Sequence, residues 1–137
     1  MELKINHVLK IMDQGDKDDL YAHLGSILSS QSLNSYYTEF ETIRSWSKEI
    51  FHSYFQTAQD YLRRIEQDLR EKICVEYGYC QKKPFESKTT QQLIDLIAEL
   101  IATLVPAPAG IIAAIVILVA AILVKIGLNK FCNCDWD

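Results

Sequence analysis

From Val105 to Val124 the chain reads VPAPAGIIAAIVILVAAILV, twenty residues without one charged, amide or hydroxyl side chain. As a helix such a run rises roughly 30 Å, the thickness of a bilayer's hydrocarbon core. A helix that is apolar all the way round is at home in lipid or in the middle of a core, and core helices of a small chain usually keep a polar edge. The run therefore reads as a membrane-spanning helix. The competing reading is a buried core helix, or a hairpin that inserts later.

Thirteen residues follow Val124, and MELKINHVLK has neither an apolar h-region nor a small-residue cleavage site. The layout expected is tail-anchored, in an inner or plasma membrane with the soluble part in the cytoplasm. Pro106 and Pro108 fit the first turn of the spanning helix, where a missing N–H costs nothing. Lys82, Lys83 and Lys88 before the segment, and Lys125 and Lys130 after it, suit anionic headgroups. Phe131 and Trp136 suit the interfacial aromatic belt.

The rest reads as an all-α chain. Ile5, Val8, Leu9 and Met12 share one helical face within Leu3–Met12. After the breaker Gly15, Asp16 or Asp18 can cap a second helix through Ser29. Residues 36–76 contain no Pro or Gly, and a period of 3.6 from Phe40 passes Ile43, Ser47, Ile50, Tyr54, Ala58, Tyr61, Ile65, Leu69 and Ile73. Unbroken, that helix would be about 60 Å long; either it kinks or part of its face meets another protein. Gly78 ends it. Ser87 or Thr89 caps an amphipathic helix that carries Leu93, Leu96, Ile97, Leu100, Ile101 and Leu104 on one face, with Asp95 and Glu99 on the other. The domains expected are 1–80, a soluble helical domain; 81–90, a basic hinge; 91–105, a juxtamembrane helix; 106–128, the transmembrane helix; and 129–137, a short tail.

Within the apolar run, Ala113, Ala120 and Gly127 recur every seven residues beside Ala114 and Ala121, with Gly110 one turn earlier. Small residues in a stripe let helix backbones approach closely in lipid. This is the expected self-association surface, and Asp95 and Glu99 would share a polar face near the membrane.

Residues 1–90 hold fourteen acidic and twelve basic side chains, a net of −2, with no clustered basic patch for nucleic acid. Cys74, Cys80, Cys132 and Cys134 have C-x5-C and C-x-C spacings, and the expected membrane helix lies between the two sets, so a shared zinc site is rejected. They are expected as free thiols in a reducing compartment, with acylation of Cys132 or Cys134 as the alternative. DQGDKDD lacks the order of a calcium loop. No HExxH, GxSxG, GxxxxGK[ST] or GxGxxG occurs, and Arg44 and His52 are too far apart for the R-x4-6-H spacing of helical ribonucleases. No enzyme, cofactor or metal is expected.

The layout is similar to that of small membrane effectors of prokaryotic defence and cell-death systems, and also to that of tail-anchored adaptors. That similarity is architectural and carries no residues over. The function expected is a self-associating, pore-forming or membrane-disrupting effector whose partners are the lipid bilayer and its own copies. One alternative is an adaptor that docks a protein on helix 36–76, and another is a soluble oligomeric interaction module.

Overall fold

The computed structural model describes residues 3–82 and 88–134, and every regular element among them is helical. The helices are α1 (Asn6–Gln14), α2 (Lys17–Ser30), α3 (Phe40–Ser45), α4 (Lys48–Arg70), α5 (Thr90–Ile101), α6 (Ile112–Ile126) and α7 (Leu128–Phe131). A 3-10 turn, Leu33–Tyr37, joins α2 to α3, and α4 continues as a π-helical turn, Glu71–Glu76.

The boundaries follow local chemistry. Asp16 accepts from the amides of Asp18 and Asp19, while the Asp19 carboxylate accepts from the Asp16 amide at 2.9 Å, a reciprocal capping box at the start of α2. Thr89 and Gln92 do the same for α5. Gly78 takes the left-handed conformation (φ +72°) just beyond the π turn.

The expected continuous helix over 36–76 is interrupted. Ser47 leaves helical geometry and its hydroxyl accepts the Ile50 amide at 3.2 Å, so it caps α4 instead of continuing α3. A serine at such a point offers the backbone an alternative to the helix ladder. Beyond it the apolar period is kept, with Ala58, Tyr61, Ile65, Leu69 and Ile73 buried, whereas Ile50 near its start is 46 % exposed.

The expected transmembrane helix 106–128 is not there. Among the described residues no helix is long and apolar enough to cross a membrane. Residues 102–111 are turns and irregular backbone, and the Pro106 carbonyl accepts the Tyr61 hydroxyl at 2.8 Å. α6 starts only at Ile112 and has 15 residues, about 22 Å of rise against the roughly 30 Å needed. The transmembrane and tail-anchored assignments, and the membrane location that rested on them, fall with it. Pro106 and Pro108 stand in the loop before the helix rather than in its first turn.

Instead α6 is the middle of the molecule. Nine of its fifteen residues are buried, from Ala114 to Leu123, and it packs on α5, α2 and α1. Burying six aliphatic and three alanine side chains contributes roughly 15 kcal/mol gross. Most of the apolar circumference that read as lipid-facing is thus met by protein, with Ala113 left exposed.

α2 carries the tightest joint, against α4. A Cβ added to Gly25 would sit 1.8 Å from the Tyr54 carbonyl oxygen and 2.4 Å from its carbon. Backbone cannot yield as a side-chain tip can, so the crossing requires glycine. Gly25→Ala gains about 1 kcal/mol of helix propensity, yet it is expected to lose at least about 2 kcal/mol net through overpacking. The midpoint of urea unfolding checks this; an unchanged or raised midpoint would contradict the crossing.

Candidate functional site

The residues around α6 hold it at both ends. Beyond its last turn, Gly127 (φ +104°) turns the chain into α7. Two disulfides, Cys74–Cys132 and Cys80–Cys134, then fasten the following segment to the π turn and to the 3-10 turn Tyr79–Gln81. The expectation of free or acylated cysteines is corrected: none of the four is free. The two sets lie side by side because no bilayer separates them. Arg70 reinforces the same end, donating to the Phe131 carbonyl at 2.5 Å and lying 4.7 Å over its ring, while Glu66 pairs with it at 3.2 Å. Lys125, near the end of α6, donates to the Met12 carbonyl of α1 at 2.6 Å. At the other end the Tyr61 hydroxyl holds Pro106, and burial pushes that phenol up to about 12.

The expected association stripe is divided by the fold. Ala114, Ala120 and Ala121 are buried within the chain, Gly127 ends the helix, and Ala113 and Gly110 are exposed. Asp95 and Glu99 are exposed together on the outer face of α5. Of the headgroup lysines, Lys125 serves as above, Lys82 stacks on Tyr77 at 4.5 Å, and Lys88 and Lys130 are exposed. Lys83, Ser87 and Trp136 lie outside the described residues.

A cleft of about 240 Å³ opens on one flank of α6, floored by Ile122, Leu123 and Leu69 and rimmed by Tyr21, Arg63 and Glu66. Among the described residues no group of three His, Cys, Asp or Glu could hold a metal.

A second constellation joins α1, α2 and the 3-10 turn. Nε2 of His23 lies 3.0 Å from the Ser35 carbonyl, and Nε2 of His7 lies against the Tyr36 carbonyl. A carbonyl only accepts, so both imidazoles carry hydrogen on Nε2 and donate it. The Tyr36 ring is fully buried against both, with its hydroxyl on the Lys4 carbonyl at 2.9 Å. Nδ1 of His23 is left bare: among the described residues it is the one buried side-chain polar atom with no partner.

Burial holds His23 down at about 4, opposed by the Ser35 carbonyl and aided by His7. His7 is lowered as well, chiefly by burial, against the Tyr36 carbonyl and Glu39. A base whose folded value lies below its free value stabilises the fold fully above pH 6.5. That contribution is lost as pH falls toward 4, amounting for His23 to about 3 kcal/mol.

No family model, curated protein or solved structure matches this chain. Its function rests on its own geometry.

Sequence reasoning missed the disulfides and the histidine pair. An even cysteine count split into two close pairs was the available signal for the first. Nothing in the spacing of His7 and His23 announces the second. Each disulfide closes a loop of more than fifty residues, worth about 4 kcal/mol alone, but once one is formed the other closes only a short ring, worth about 2–3 kcal/mol. Replacing either pair by serine should therefore cost about 2–3 kcal/mol, and replacing both more than twice that. Unfolding midpoints of the three variants check it; equal losses for one pair and for both would contradict the nested staple.

Proposed function

We propose that this chain is a membrane-disrupting effector that stores its lipid-active element, the α5–α6 hairpin, inside a stapled helical shell. The observation that carries this reading is the composition of α6. Ile112, Ala113 and Ile117, which reach or approach the surface, are as apolar as the positions that do not. A helix that only filled a core would need apolar residues on its inner face alone.

As folded, the hairpin does not span a membrane. Once released, α6 and the amphipathic α5 enter one leaflet, with Asp95 and Glu99 left among headgroups and water, since a carboxylate in hydrocarbon costs several kcal/mol. Ala114, Ala120 and Ala121, vacated by the shell, then join Ala113 as a small-residue surface on which copies pack. No catalytic step is part of the reading.

The staple sets the condition for release. Disulfides persist in oxidising surroundings and are cut by cytosolic thiols. Losing both removes about 6–7 kcal/mol, comparable with the whole stability of a domain this size. A protein partner docked on α4 is supported by one feature, the exposed Ile50 beside Phe51 and Tyr54.

Vesicles loaded with a self-quenched dye test the leading reading. Oxidised protein at pH 7 should leave them tight, and protein reduced with dithiothreitol should empty them. Reduced protein that binds vesicles and leaves them tight would overturn it.

A further inference from the structure

Four features of the α1–α2 junction converge. The two imidazoles lie with ring centroids 5.7 Å apart, across the joint between the two helices. Both donate from Nε2 to consecutive carbonyls, those of Ser35 and Tyr36, and so hold the 3-10 turn Leu33–Tyr37 in place. The only site for an added proton on His23 is Nδ1, which is buried with no acceptor facing it. Finally, α1 is the helix whose Met12 carbonyl receives Lys125 from α6.

We propose that His7 and His23 form an acid-sensitive latch whose protonation frees α1 and the 3-10 turn from α2 and uncovers the C-terminal half of α6. It names a regulation of the stored hairpin and rests on that reading for its consequence, although the opening itself needs no lipid.

Protonating His23 creates a buried cation and a buried N–H with no acceptor, and both are relieved only by water. A proton on His7 adds a like charge across the joint. The facing groups offer little compensation. Asp19, one turn before His23 on α2, is already engaged by Arg44 of α3 at 3.2 Å and by the Asp16 amide. Burial raises the Tyr36 phenol, which therefore stays neutral at these pH values; Tyr37 sets its ring 5.7 Å from that of His7, and Lys4 presents its carbonyl to Tyr36. Lys10 is paired with Glu41. Glu39 favours a proton on His7, whereas the charge of His7 opposes one on His23. α6 brings no carboxylate to the joint.

Opening moves α1 away from Val8, Ile11 and Met12's places in the core. It also breaks the Lys125 bond and bares the end of α6 lined by Val124 and Lys125.

The test uses the oxidised full chain without lipid. Binding of an apolar dye and amide exchange of α1 are followed from pH 7.5 to 3.5. The wild type should open between pH 6 and 4, with α1 exchanging before α4. His7→Gln with His23→Gln keeps a donor for each carbonyl and cannot titrate there, so it should stay closed at least one pH unit lower. Opening of that variant at the wild-type pH would overturn the latch. If the variant does not fold, the wild-type His23 Cε1 proton resonance decides. A titration coincident with α1 exchange supports the latch, and an isolated titration near pH 6.5 in a closed protein rejects it. A latch that opens in acid while reduced protein leaves vesicles tight would refute the membrane reading and leave the latch standing.

Discussion

α6 has one charged residue in fifteen, Lys125, and its apolar side chains point in every direction. Such a helix can exist in water only if other helices close around it, and in 137 residues there is little chain to do it with. That need explains the arrangement of the rest. α5 folds back along α6, α2 lies between α6 and α4, and α1 covers the C-terminal end. The glycine crossing at Gly25 brings α2 down onto α4, and the charged groups are left outside or paired.

The two ends of α6 are secured by different chemistry. At the start the Tyr61 hydroxyl holds the Pro106 loop, whose Val105 and Ile111 are buried in the core. In its last turn stands the Lys125–Met12 bond, and beyond the end stand two covalent links and the Arg70–Phe131 contact. Full release of α6 requires the C-terminal fastenings to fail. A reductant acts on the disulfides, and acid acts on the histidines that seat α1. The two act through independent groups on one element.

Much of the fold was legible in the sequence. Period, capping residues and breakers narrowed the cap of α2 to Asp16 or Asp18 and that of α5 to Ser87 or Thr89, of which Asp16 and Thr89 hold the positions, and they marked the buried stripe from Ala58 to Ile73. The apolar run was not, because an all-round apolar helix satisfies lipid and a helical shell equally; only length separates them. Length was misjudged at Pro106–Gly110, where the backbone leaves the helix and the continuous apolar composition hides the break. The error then spread to Cys132 and Cys134, since the supposed membrane helix set them apart from Cys74 and Cys80 and the cytoplasmic location that went with it implied free thiols. His7 and His23 meet only through tertiary packing of α1 on α2, which no local pattern encodes.

Amide hydrogen exchange of the oxidised protein at pH 7, in plain buffer, tests the central claim most directly. If α6 is the protected centre of the shell, the amides of Ile115 to Leu123 exchange only through global unfolding, as slowly as the slowest in α2 and α4. Exchange through α6 that is orders of magnitude faster than in α2 and α4 would contradict the account, because it would leave the apolar helix outside the structure built to enclose it.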